Sequence, residues 1–244
     1  MKKVAGLVLF ALFLGTLAPS AFGQLIVNPT GKASDGAFEA GGLLWIGEVD
    51  YDADGDVTVE RTVLGVGVAY GLDPMIDIYG AVGTISKAEI DTEIEGFAWD
   101  DEGDGYMMAV GIRGQAAARD AINFFAYGQL QHISEDYGEL NRVGVTVSTE
   151  ADIQELIVGA GAKHAINEQF SLYGAAELVP YSSGDGEAEI TGVPDKVSDS
   201  SDVERDSVLG VRIGSLYQVD RWAIRGEFAL IAEQSFSLGA AYAF

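Results

Sequence analysis

The chain contains no cysteine. That excludes a disulfide framework, thiol catalysis and anchoring through a lipid-modified cysteine. Proline is scarce, with 5 in 244 residues, and basic residues are outnumbered, 14 against 38 acidic ones. A formal net charge of −24 leaves no basic surface for phosphate attraction, so nucleic acid is not an expected partner. The two histidines, His132 and His164, fall toward opposite ends of their predicted strands and make no metal-binding pair. Beyond the N-terminal segment no stretch is continuously apolar for the length of a membrane helix. If the chain enters a membrane, it must do so as strands.

What is present begins with an export signal. Lys2 and Lys3 form a positive region, Val4 to Leu17 an apolar one, and Ala21-Phe22-Gly23 a small-x-small cleavage site before Gln24. Residues 1–23 are expected to be removed, leaving 24–36 as a periplasmic stub and 37–244 as one domain. Glycine is abundant, at 32 residues without a collagen-like period. This fits curved strands with small inward-facing residues. The last ten residues alternate at period two. Phe236, Leu238, Ala240, Tyr242 and Phe244 share one face; Ser235, Ser237, Gly239, Ala241 and Ala243 share the other. Such a strand suits a wall between lipid and a polar lumen.

The acidity is concentrated. Of the 38 acidic residues, 28 fall in four windows, 48–60, 89–104, 135–155 and 185–206, which hold only Arg142, Lys196 and Arg205 among the bases. Between the windows lie amphipathic runs joined by tight turns at Gly71-Leu72-Asp73-Pro74, Arg119-Asp120-Ala121, Ile166-Asn167-Glu168 and Val219-Asp220. Long acidic segments alternating with short turns are the rhythm of an outer-membrane barrel. The pattern predicts ten strands, at 37–49, 57–71, 75–88, 105–118, 122–134, 152–165, 169–181, 204–218, 221–232 and 235–244. Eight is the alternative count. An even number places both termini on the periplasmic side. Leu64, Val66, Val68 and Tyr70 line one apolar face, Tyr106, Met108, Val110 and Ile112 another. In a soluble sandwich such faces would need a partner sheet.

The opposite faces carry charge. The lumen register holds the acids Glu39, Asp77, Glu177 and Glu227 and the bases Arg61, Lys87, Arg113, Lys163, Arg212 and Arg225. Unpaired charges in a small lumen cost several kcal/mol each, so these residues are expected to form an ion-pair network. Trp45, Tyr79, Gln115, Gln129, Gln131 and Tyr173 would fill the gaps. Lumen charges of both signs favour a packed, largely occluded polar core. A small cation-favouring channel with an acidic mouth is the alternative.

The whole-chain pattern from Ala37 to Phe244, together with the signal and the Tyr242-Ala243-Phe244 ending, resembles the small bacterial outer-membrane β-barrel proteins. That group contains OmpA-like membrane domains, opacity proteins and porin-like barrels. The resemblance implies an all-β antiparallel up-and-down barrel in contact with outer-membrane lipid and lipopolysaccharide. It also implies that Tyr242 and Phe244 are read by the barrel-insertion machinery. It assigns no activity, because function on such folds resides in grafted sites. No enzyme activity and no cofactor is expected, and the surface partner stays open.

Three local patterns carry further expectations. Asp50, Asp52, Asp54 and Asp56, with Gly55, match the first half of a calcium loop, but position twelve is Arg61 where a bidentate Glu is needed. At most weak binding is expected there, about 10⁻⁴–10⁻³ M. His132 and Ser134, with an acid from Glu150 or Asp152, have the His-x-Ser spacing of the barrel enzymes that deacylate lipid A, which makes a lipid A hydrolase a remote alternative. The segment Ser182 to Asp206, rich in serine, glycine and acid, reads as a long outer loop.

Overall fold

The structure, a computed structural model, describes residues 36–52, 56–94, 97–119, 121–142, 145–191, 197–205, 208–231 and 234–244. The signal and most of the N-terminal stub lie outside the described residues. Eleven strands follow one another: β1 (Phe38–Asp52), β2 (Asp56–Gly71), β3 (Ile76–Ile94), β4 (Phe97–Arg119), β5 (Ile122–Arg142), β6 (Val145–Ala165), β7 (Phe170–Thr191), β8 (Val197–Arg205), β9 (Leu209–Val219), β10 (Trp222–Ile231) and β11 (Gln234–Ala243). Every pairing is antiparallel. β1 to β7 pair in sequence, β9 follows β7, and β11 returns to β1 from Glu39↔Ala243 to Glu48↔Gln234. The result is a closed ten-stranded up-and-down barrel with one extra strand. Among the described residues no helix is long and apolar enough to cross a membrane.

The tight turns have a local chemical cause. Asp73 Oδ1 accepts hydrogen bonds from the Met75 and Ile76 amides, at 2.5 and 2.9 Å. Asn167 Oδ1 does the same for Gln169 and Phe170, both at 2.9 Å. In each turn two successive amides, those of Leu72 and Asp73 or of Ile166 and Asn167, donate to one closing carbonyl, that of Ile76 or Phe170. An Asx side chain thus mimics a further backbone turn and pins the register of the hairpin. Asp220 closes the β9–β10 turn at φ 53°, a conformation that Asp tolerates through its short polar side chain.

These turns, the start of β1 and the end of β11 define one end of the barrel. At the other end the strands run further than the sequence suggests. β4 spans 23 residues and β7 22, about twice the 9–11 residues that cross a bilayer as a tilted strand. The acidic windows at 89–104, 135–155 and 185–206, expected as loops, are largely strand. Their hydrogen bonds are satisfied by the neighbouring strand, so their acidity dictates only which face meets water.

Along β1, β2, β5 and β6 the polarity of the two faces inverts. Near the turn end the outward side chains are apolar. Leu64 is 62% exposed, Val110 60% and Phe124 54%. Further up, the outward positions become Glu48, Asp50, Glu60, Asp136, Glu150 and Asp152, while Val49, Val59, Ile133 and Ile153 turn inward and are buried. The long end is therefore a collar with a largely apolar inner face, interrupted by a few buried charged side chains, and an acidic outer face. This apolar inner face has no counterpart in the sequence reading, since most of the collar lies in segments expected as loops.

Two irregularities follow. The expected strand at 204–218 divides into β8 and β9. β7 is too long for β9 alone, and its outer half, Gly184 to Ile190, pairs with β8. β8 then meets β1 at Tyr51↔Arg205 and Asp52↔Glu204. The β10–β11 hairpin stops lower down, so the collar closes with eight strands on a ten-stranded wall. The second irregularity is a register shift between Ile85 and Ala88. It turns Ala88 inward at 0% exposure and leaves Lys87 exposed. The assignment of Lys87 to the lumen is thus corrected: one extra residue exchanges the two faces.

Candidate functional site: the charged lumen and its collar

Among the described residues twelve charged side chains face inward. The acids are Glu39, Asp77, Glu135, Glu155, Glu177 and Glu227; the bases are Arg61, Arg113, Lys163, Arg205, Arg212 and Arg225. The two sets balance. The net negative charge of the described barrel therefore lies outside its lumen.

The turn-end half holds two groups. Arg113 donates through Nε to Asp77 Oδ2 at 2.9 Å and through Nη2 to Glu39 Oε1 at 3.2 Å. Arg212 bridges Glu177 at 2.5 Å and Glu227 at 2.8 Å. Arg225 lies 3.4 Å from Glu227, which also accepts the Tyr173 hydroxyl at 2.5 Å. Lys163 is half-buried on the same inner wall.

The collar group was not legible in full. Arg61 was expected to pair with the acids near the turn end. Instead it grips Glu135 with both Nε and Nη2, at 2.5 and 2.7 Å. Its Nη1 donates to the Tyr51 hydroxyl at 3.0 Å, and Tyr137 donates to Glu135 at 2.9 Å. Arg205 of β8 approaches Glu155 at 3.4 Å. Glu135 escaped the sequence reading because it lies just past the expected strand end at residue 134, in an acidic window taken as a loop, whereas Glu155 and Arg205 lie at the starts of expected strands and were not assigned to the lumen. The alternation Ile133, Glu135, Tyr137 was the available signal. Tyr51 lies above the apolar band. Burial, opposed by Arg61, pushes its hydroxyl up to about 12.

A hydrogen-bonded ladder joins the two zones. Tyr79 donates to Gln129 at 3.2 Å, Gln129 to Gln131 at 2.7 Å, and Gln131 to Glu155 at 2.7 Å. Around it the lumen is filled. Leu43, Trp45, Val63, Ile85, Met107, Ile133 and Ile153 form one buried cluster, and Tyr79, Phe125, Tyr127, Ile157 and Tyr173 a second. Three tyrosine rings lie flat against glycines of the next strand. A Cβ on Gly111, Gly159 or Gly214 would come within 2.3, 2.4 and 2.4 Å of Tyr79, Tyr127 and Tyr173. The absent side chain is what lets each ring cross the lumen.

The collar's outer face sets acid opposite acid. Asp104, Asp136, Glu150 and Glu187 are successive cross-strand partners, as are Asp152, Asp185 and Asp202. Of the residues that match a calcium loop, Asp50 and Asp52 are exposed at the end of β1, and Asp50 accepts from Thr58 at 2.7 Å. The backbone of Asp56 pairs with Asp52 in a hairpin. Asp54 lies outside the described residues. His132 and Ser134 sit on the outer wall at the rim of the apolar band. His132 Nε2 stands 3.6 Å from Asp152 Oδ1, beyond hydrogen-bond range. His164 lies near the opposite end of its strand. Tyr242 and Phe244 face outward at the turn end, 5.1 Å apart, and the Phe244 amide donates to Phe38 at 2.9 Å.

A closed antiparallel wall with an apolar outer band and a charged, paired interior defines the class of transmembrane-type β-barrels. No protein-family model matches the chain, and no curated protein matches its sequence. Solved structures do match. The outer-membrane protease OmpT from Escherichia coli superposes with a TM-score of 0.60 at 11% identity, over 88% of this chain and 99% of that one. Outer membrane protein AlkL in lipid bilayers gives 0.50 at 13% identity, over 91% and 97%. At this level of identity the likeness concerns the fold: the chain has the fold of outer-membrane β-barrel proteins.

Proposed function

We propose that the chain is an integral outer-membrane barrel with a structural or surface-interaction role and a closed lumen. The band of exposed Leu, Val, Ile and Phe calls for a hydrocarbon environment, since a water-soluble monomer rarely exposes so large an apolar surface. β1 begins and β11 ends at the turn end, which in such barrels faces the periplasm. The acidic collar then stands outside the cell. The observation that carries the closed reading is the filling of the lumen: buried aromatic rings seated on glycines, with inward arginines and carboxylates joined in buried ion pairs. Breaking so many buried pairs to admit ions would be costly.

The test is conductance across a planar bilayer. Purified protein should leave the bilayer silent, and single channels of general-porin size would overturn the closed lumen. A small cation-favouring current would instead support a channel with an acidic mouth. The role is non-enzymatic in this reading. Lipid A mass spectra should be identical with and without expression, and loss of an acyl chain that depends on His132 and Ser134 would replace it with a hydrolase.

A further inference from the structure

In a lumen so thoroughly paired, the unpaired donors are informative. Three occupy one stretch of inner wall. Trp45 of β1 and Ser237 of β11 are direct register partners. Ser237 is also the partner of Glu227 on β10. Arg225 precedes Glu227 by two residues on the same face, with Nη1 3.4 Å from Glu227 Oε1. Direct cross-strand partners have Cβ atoms about 5 Å apart and diagonal ones about 7–8 Å, so Ser237 on the central strand stands directly beside Trp45 and diagonally from Arg225. Trp45 is 1% exposed, Ser237 2% and Arg225 2%. Among the described residues, Trp45 Nε1, Ser237 Oγ and Arg225 Nε have no hydrogen-bond partner.

The indole and guanidinium nitrogens can only donate, and a serine hydroxyl donates or accepts. Buried donors are satisfied in folded proteins as a rule, so this cluster calls for an acceptor. The space has a source: the inward residues of β11 are Ser235, Ser237, Gly239, Ala241 and Ala243, none of them bulky. The charge of the acceptor is constrained too. Arg212 and Arg225 are already matched by Glu177 and Glu227. An anion would add an unmatched charge at low dielectric, whereas a neutral oxygen would not.

We propose that the β1–β11–β10 wall is a binding site for a small uncharged oxygen acceptor, with Trp45 and Arg225 donating to it and Ser237 completing its hydrogen bonds. Water and a small alcohol or ketone share this chemistry. The site goes beyond the closed-lumen reading and does not depend on it, because a silent bilayer is compatible with either outcome.

The test is NMR of the Trp45 indole in lipid nanodiscs, in full-length mature protein carrying Trp99→Phe and Trp222→Phe. The indole N–H should resonate downfield, as a hydrogen-bonded donor does. Cross-relaxation to water protons identifies solvent as the guest. A saturable shift on titration with acetone, with contacts to its methyl protons, identifies a solute. Ser237→Ala should shift the indole resonance and weaken any acetone response several-fold. Ser237→Cys, which retains the size of the side chain, should behave likewise if the alanine variant fails to assemble. An indole at the position of an unbonded donor, without contact to water or acetone and indifferent to both substitutions, would overturn the site.

Discussion

Arg61 and Glu135 meet with side chains 1% exposed each. Two parallel charge-assisted hydrogen bonds fix the guanidinium, and Tyr51 and Tyr137 take part of the remaining capacity of the pair. Such a pair contributes little compared with apolar residues of similar volume, but its partners are costly to separate. Arg61→Ala or Glu135→Ala is therefore expected to lower unfolding stability by about 3–5 kcal/mol, because one buried charge is left alone. The double change Arg61→Met with Glu135→Leu should lose far less. Guanidinium unfolding in detergent measures all three, and single variants within about 1 kcal/mol of the parent would mean that solvent reaches the pair. Tyr51, beside it, adds a pH dependence. Its folded value of about 12 exceeds the ordinary value near 10, so the folded state holds the proton more tightly than the unfolded state. The stability it contributes is complete below pH 10 and is lost as the pH rises through 12. The loss amounts to about 2–3 kcal/mol at roughly 1.4 kcal/mol per unit. Stability measured from pH 9 to 12 should fall more steeply in the parent than in Tyr51→Phe. Identical slopes would show that the hydroxyl titrates normally.

The long strands serve two environments, and the acidic end of β4 to β7, with β8, is where the elements pay a cost. Opposed like charges about 5 Å apart are unfavourable by roughly 0.2–1 kcal/mol per pair. Glu150, between Asp136 and Glu187, is expected to be a site of repulsion. Glu150→Gln should raise the thermal midpoint in low salt. Its advantage should shrink in about 1 M NaCl, where the Debye length falls to roughly 3 Å. A gain independent of salt would point to a cause other than charge. The same elements explain what could be read in advance. Strand ends at Gly71, Ile122, Ala165, Phe170 and Trp222 lie within a residue or so of expectation, because Asp73, Asn167 and Asp220 punctuate the chain with turn chemistry. The far ends were underestimated by up to ten residues. In the collar, acids mark the solvent face of a strand as readily as they mark a loop, and only the inward alternation of Ile133, Glu135 and Tyr137 separates the two cases. Lys87 was misplaced for a related reason: a bulge leaves no mark in an alternation pattern until the partner strand is known.

At the scale of the whole molecule, a neutral lumen and an acidic exterior are stacked on an apolar band. The wall is complete only when its first and last strands meet. That seam joins residues about two hundred positions apart, the most non-local pairing in the chain, and such pairings form late because the loop-closure cost precedes the reward. Phe244 stands at the end of it. Its amide donates the last hydrogen bond of the seam to Phe38 at 2.9 Å, and its ring packs on Tyr242, which packs in turn on Trp222 at 5.1 Å. Both rings face outward at the turn end, where a girdle of aromatic residues meets the lipid headgroups. Removal of Phe244 deletes the bond and the ring contact together, yet leaves the lumen and the expected export signal untouched. Export should therefore proceed while closure falters. In cells, the truncated chain should accumulate as periplasmic material, with the heat-modifiable folded band depleted. The isolated folded fraction should unfold in denaturant nearly as the parent does, since few contacts are lost once the barrel has closed. Normal surface levels together with an unchanged folded band would show that the terminal residue is dispensable. A large loss of equilibrium stability would assign it a role in holding the barrel shut rather than in closing it.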